Sequence, residues 1–209
     1  MLRWVAAAML VCGLLGLVRE ASAQGKAKPN SAATAAAAGK ATPVPARIRV
    51  GVTSAGFDDL GSVLSDLKIP FQLTAEVADP FQAFDAIFIS CGTSEQFDSD
   101  KVAAFVQRGG VLYVSDLSYT VVGDAFPKMA SGWQSDGVAS TYTCLVHDKK
   151  MIKDIGTTVP VNFNAGGWAY ATKLDKKVNV LVSMKSPISG AQLPVLFTFS
   201  QGKTSSSVM

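Results

Sequence analysis

The chain predicts an α/β fold, a three-layer sandwich on a mostly parallel sheet with antiparallel edge strands late in the sequence. Three observations carry that expectation. Residues 84–116, FDAIFISCGTSEQFDSDKVAAFVQRGGVLYVSD, read as a buried strand, a helix and a second buried strand. The apolar runs at 87–89 and 111–114 are bounded by turn residues, the pattern of parallel strands covered on both faces. A strand, a helix and a further strand precede this unit, and such units close right-handed into an open sheet. Near the end, the apolar runs 178–184 and 195–200 are separated by a turn at 187–192, too short for the crossover that parallel pairing needs.

Taken in order, residues 1–23 read as an export signal. Arg3 supplies the basic start, residues 4–18 the apolar run and Ala21-Ser22-Ala23 the small-residue cleavage site, with cutting after Ala23. The apolar run is shorter than the roughly 20 residues a bilayer crossing needs, so a secreted or periplasmic protein is expected, with no stable membrane span after signal cleavage. The alternative is an uncleaved N-terminal membrane anchor. Residues 24–46 are alanine-rich, with Lys26, Lys28, Lys40 and three prolines, and Val44 is their only large apolar residue. Such a segment buries too little apolar surface to offset the entropy of ordering and reads as a disordered linker.

The domain is expected over 47–209. Residues 47–53 read as a strand, 57–67 as a helix with Val63, Leu64 and Leu67 inward, and 71–77 as a second strand. A third strand follows at 84–90. Residues 98–107 then form a helix whose inward face is Val102, Phe105 and Val106, with Asp98 or Ser99 as N-cap and Gly109 just past its end. A fourth strand covers 111–115. From 121 to 171, glycine, serine, asparagine, threonine and aromatics dominate, and only 142–146 reads clearly as a strand.

Composition excludes several chemistries. With Arg3, Arg19, Glu20 and the three linker lysines set aside from the 19 basic and 16 acidic residues, the domain is close to neutral. That argues against nucleic acid as a partner. The chain has one histidine, His147, and no CxxC or HxxxH spacing, so no metal site is expected, and no cofactor is expected either. The domain's two cysteines, Cys91 and Cys144, are either inert thiols or a single bridge formed in an oxidising compartment.

The order strand, helix, strand, then FDAIFISCG, a helix ending FVQRGG and the strand VLYVSD resembles the class I glutamine amidotransferase-like fold, a flavodoxin-like architecture. It is especially similar to the non-catalytic branch of secreted bacterial proteins related to trehalose-utilisation-type domains. The late PVLFTFSQGK resembles that family's closing strand and GKG phrase, after which the family has one more strand. The resemblance therefore implies a domain lacking its last strand. It covers roughly residues 48–203 and identifies a fold rather than an activity. In active members a cysteine nucleophile follows the strand after the helix; that position falls at Ser115 or Asp116, where no cysteine stands.

Candidate site residues follow from these elements. Cys91, Ser115 and His147 are the possible catalytic groups, needing a thiolate or hydroxyl beside an imidazole and an oxyanion donor such as the amide of Gly92 or Thr93. Asp58, Gly92, Thr93 and Asp116 fall where open α/β sheets bind ligands, at the carboxyl ends of strands. Asp58 and Asp59 also suit capping of the first helix, and Ser115 and Asp116 suit a turn. The loop 53–56, Thr-Ser-Ala-Gly, is a weak match to a flavin phosphate loop. Tyr119 and Trp133, among glycines and polar residues, suit a sugar face or a protein partner, and Trp168 reads as a buried ring in a tight turn. The expected function is a non-catalytic ligand-binding or protein-interaction module, with carbohydrate or an envelope protein as partner. The alternative is a cysteine or serine hydrolase or amidase working at the strand-end crevice.

Overall fold

A computed structural model of the chain describes residues 48–201; the segments read from the sequence as an export signal and a linker, and the last eight residues, lie outside the described residues. Four parallel strands form the central sheet in the order β2-β1-β3-β4: β1 is Val50–Val52, β2 Gln72–Leu73, β3 Ala86–Ile89 and β4 Val111–Val114. Alternation along β3 splits the core in two. Ile87 and Ile89 pack with Val102, Phe105 and Val106 of helix α3 (Ser99–Gln107) and with Phe81 of α2 (Pro80–Ala83). Ala86 and Phe88 pack on the other face with Leu60 and Leu64 of α1 (Leu60–Asp66). Helices thus cover both faces of the sheet, which makes the three layers expected from its continuous apolar strands.

The helix ends follow side-chain chemistry. The Asp98 carboxylate accepts the amides of Asp100 and Lys101 at 2.9 and 3.0 Å, capping α3, and Gly109 at φ +104° takes the left-handed position beyond it. Helix α1 starts later than the periodicity implies, because the amide of Phe57 is bound to the Cys91 carbonyl at 2.7 Å and Asp59 is the residue that caps the helix, through Ser62 N at 2.9 Å. Residues 71–77 are a two-residue strand followed by a 3₁₀ turn over Thr74–Glu76. The short helix α2 is too brief to show a hydrophobic period, although Asp79 as N-cap with Pro80 in the first turn is a recognisable start signal.

Beyond β4 the chain is far more regular than its composition implies. A 3₁₀ turn at Asp116–Tyr119 leads into α4 (Thr120–Ala125), then β5 (Ala130–Gln134), β6 (Ser140–Val146), α5 (Lys149–Ile155), β7 (Thr158–Phe163) and β8 (Tyr170–Leu174). The strand read at 142–146 is the core of β6, which pairs with both β7 and β9 (Asn179–Lys185), whereas β5 and β8 escape propensity because each finds its partner only in the other, far along the chain. The late strands β9 and β10 (Gln192–Thr198) pair antiparallel, as their short turn requires. They lie in an antiparallel sheet of order β10-β9-β6-β7, with β10 at one edge. This second sheet has its own core, in which Met151 of α5 meets Cys144, Val146, Val159, Val182 and Met184. No helix among the described residues is long and apolar enough to cross a membrane.

Candidate functional site

Parallel strands point the same way, so the residues following β1, β3 and β4 gather along one edge. Ser90 N donates to Thr53 Oγ1 at 2.8 Å, and Ser118 Oγ donates to the Ser90 carbonyl at 2.9 Å, which fixes the three strand ends together. The loop after β1 comes close to the loop after β3: a Cβ on Gly56 would collide with the Cys91 carbonyl oxygen, a backbone atom that has nowhere to go. That approach delivers Asp58 to the centre. Its Oδ1 accepts Cys91 N at 2.6 Å and its Oδ2 accepts Ser115 Oγ at 2.5 Å, so one carboxylate ties three loops.

Asp116 sits on the turn after β4 with φ +35°, a left-handed conformation that aspartate tolerates better than most residues. Its Oδ1 accepts the amide of Ala169 at 2.6 Å and so joins the parallel sheet to the Gly166–Gly167 turn that leads into β8. Desolvation pushes the Asp116 carboxyl above the usual aspartate range, the Ala169 amide opposes that shift, and the charge of Asp58 adds to it. The Cys91 thiol, 5 % exposed, is pushed up to about 11 by burial, with the Asp116 and Asp58 carboxylates adding to the shift. Burial also raises the Tyr113 hydroxyl to about 12, again with Asp58 contributing. The crevice therefore gathers two acidic side chains, a thiol held up by burial and two hydroxyls.

Of the candidate catalytic groups, Cys91 and Ser115 converge on Asp58, the first through its backbone amide and the second through its hydroxyl. His147 is not with them. Its amide donates to the Leu181 carbonyl at 2.8 Å, and its Nε2 lies 2.7 Å from Ser183 Oγ on β9 of the antiparallel sheet. Ser183 in turn donates to Gln192 Oε1 at 3.2 Å. The amide of Thr93, a candidate oxyanion donor, already donates to the Ser90 carbonyl at 3.3 Å. Gly92 has φ +71°, and the ring of Phe57, 81 % exposed, leans over it. The weak phosphate-loop match at 53–56 is occupied from within the chain. Glu95 accepts Ser54 N at 3.1 Å and Thr74 Oγ1 at 2.6 Å, so a carboxylate stands where an anion would bind. Nothing in the sequence singles out Glu95, because its partners come from two other loops.

Cys91 and Cys144 are both free and buried, Cys144 inside the core of the second sheet. Among the described residues no group of His, Cys, Asp and Glu has a metal-holding arrangement.

Beside the crevice lies a cavity of about 210 Å³, bounded by the end of β4, by Tyr119 and Trp133, by Trp168 to Tyr170 and by Pro194 to Phe197 of β10. Tyr119 stacks on Trp133 at 4.9 Å, and Trp168 stacks on Phe163 at 4.3 Å. Trp168 is 4 % exposed and donates through Nε1 to the Val138 carbonyl at 3.0 Å, so it is a core ring as its glycine-rich context implies. Trp133 is half-buried, and its Nε1 is enclosed without a partner. Register shifts on either side of Leu196 leave Val195 unmatched on β9, a bulge facing this cavity.

No family model matches the chain, and no curated protein matches it. Solved structures do. It is similar to a protein described as a GMP synthase component from Thermoplasma acidophilum, at 13 % identity and TM-score 0.52, over 78 % of this chain and 82 % of that one. It is also similar to a glutamine amidotransferase from Thermotoga maritima, at 11 % identity and TM-score 0.51, over 78 % and 74 % of the two chains. PurLQS from the same organism aligns at 12 % identity and TM-score 0.50, over 69 % and 78 %. Likeness at such identity speaks for the fold: the chain has a glutamine amidotransferase-like α/β fold.

Proposed function

We propose that this chain is a non-catalytic binding module on a glutamine amidotransferase-like scaffold, exported by its N-terminal signal, with its ligand or partner taken at the strand-end edge. One observation carries this reading: the turn after β4, where a nucleophile would be expected, holds Asp116, and the hydroxyl and imidazole that could serve a nucleophile are engaged elsewhere. Asp58 accepts both Ser115 and the Cys91 amide, and the chain's only imidazole is bonded to Ser183 on another sheet. Burial, with the Asp116 and Asp58 carboxylates adding to it, raises the Cys91 thiol to about 11, a value that disfavours the thiolate a nucleophile needs. Carbohydrate or an envelope protein is the partner class suggested by the half-buried rings of Tyr119 and Trp133. The finer likeness to trehalose-utilisation-type domains rests on the sequence phrases alone.

The competing reading, a cysteine or serine hydrolase, draws on Ser115 Oγ lying 2.5 Å from Asp58 beside a left-handed turn. Treating the native chain with iodoacetamide and with a fluorophosphonate separates the two readings. The module reading expects no adduct at Cys91 or Ser115 in the native protein. A single-site adduct lost on His147→Ala establishes the hydrolase instead. Export is tested separately, by the N-terminal residue of the protein recovered outside the cytoplasm, expected to be Gln24.

A further inference from the structure

The cavity beside Asp116 has an unusual combination of walls. Tyr113, Tyr119, Trp133, Trp168, Tyr170 and Phe197 surround it, and Asp116 is its one acidic side chain. Among the described residues no lysine, arginine or histidine lines it. Asp58 stands behind Ser115 and adds a second negative charge. Among the described residues neither Asp58 nor Asp116 meets a lysine or arginine, in contrast to Asp85, which is paired with Arg49 at 2.8 Å.

The polar groups that could greet a polyol are mostly committed. Ser115 donates to Asp58, Trp168 Nε1 to the Val138 carbonyl, and the Tyr170 hydroxyl lies 2.8 Å from both Gln134 Oε1 and Asp136 Oδ1. What remains is aromatic surface, the enclosed Nε1 of Trp133 and two acidic side chains that meet no lysine or arginine among the described residues. Aromatic walls beside a carboxylate favour a cation whose charge is spread over apolar surface, because ring quadrupoles attract it while its methyl groups shed water. Space agrees with this. An apolar cavity of about 150 Å³ holds benzene, so 210 Å³ admits a group of roughly that size or somewhat more, and not an extended chain.

We infer that this cavity binds a small organic cation, a quaternary ammonium or a protonated amine group. The inference rests on the binding-module reading and deepens it by naming the ligand class. The same headgroup occurs on free molecules and on lipids, and the test separates these sources.

Titrations of the full chain, followed by tryptophan fluorescence, compare choline chloride, its neutral isostere 3,3-dimethylbutan-1-ol, and glucose. Choline is expected to saturate, and the neutral isostere to bind at least about fivefold more weakly, because the charge contributes to the attraction. Asp116→Asn keeps an acceptor for Ala169 N–H and a residue at ease with positive φ; it should weaken choline about fivefold and leave the isostere unchanged. Trp133→Leu should weaken both. Co-sedimentation with phosphatidylcholine but not phosphatidylglycerol vesicles assigns the lipid headgroup as the source; binding of free choline alone assigns a soluble ligand. Equal binding of choline and its isostere, or no saturable choline binding, overturns the inference. Glucose binding lost on Trp133→Leu, with choline inert, overturns it too but leaves the module reading standing. Only native labelling at Cys91 or Ser115 removes that reading.

Discussion

Replacing Asp58 by alanine should destabilise the fold through the loops rather than through α1. The carboxylate accepts two short, part-buried hydrogen bonds, from Cys91 N at 2.6 Å and Ser115 Oγ at 2.5 Å, next to the Phe57 N–H fixed on the Cys91 carbonyl. Hydrogen bonds to a charged acceptor contribute about 1.5–3 kcal/mol each. Some of that is recovered when water reaches the partly exposed crevice, so a net loss of about 3 kcal/mol is expected. In a domain of this size each kcal/mol lowers the melting temperature by about 2–4 °C, which gives a drop of about 6–12 °C. Asp58→Asn retains one acceptor oxygen and should lose about half as much, while Ser115→Ala removes one bond and should cost about 1 kcal/mol. Urea unfolding of the three variants measures the series. If Asp58→Ala falls within about 0.5 kcal/mol of the unaltered chain, the carboxylate does not organise the three loops and the reasoning fails.

Asp116 makes the opposite prediction near neutrality. Its folded pKa lies above the unfolded value, so it contributes most to stability when protonated and loses that contribution as pH rises through the folded pKa. Asp116→Asn should therefore be more stable than the parent at pH 7, with the difference vanishing below the ordinary aspartate range near 3.8, as read from paired melts across pH. The Arg49–Asp85 pair runs the other way: Asp85 is lowered by its bond to Arg49, so its contribution is present above about 4 and fades as pH falls. Asp85→Asn should accordingly matter at neutral pH and not in strong acid. Gly56→Ala should cost about 1–3 kcal/mol, since its Cβ meets the Cys91 carbonyl, a contact that backbone cannot relieve. Gly92→Ala meets only the edge of exposed Phe57 and should cost about 1–2 kcal/mol, from positive φ alone, in the same urea assay.

What can be read from the residues in advance is local. The segment from β3 through α3 to β4 carries its own period, cap and terminating glycine, and each element lies within two residues of expectation. The second half is opaque because β5 finds β8 some forty residues on, and a strand such as ASGWQ is stabilised by that pairing rather than by its own propensity. Within the crevice, the strand-end placement of Cys91, Ser115 and Asp116 follows from topology. The division of labour between Asp58 and Asp59 does not, since adjacent acids differ only in backbone angles, and Glu95 gives no signal because its contacts cross between loops. His147 is equally unreadable: only the antiparallel sheet shows that it meets Ser183.

The strand-end edge holds a buried thiol, raised by burial, beside two acidic side chains, and on this the binding-module reading stands. Its most direct measurement is the thiolate absorbance of Cys91 against pH in the full chain with Cys12 and Cys144 changed to serine. The thiol should ionise near 11. A thiolate already present at neutral pH would contradict the account.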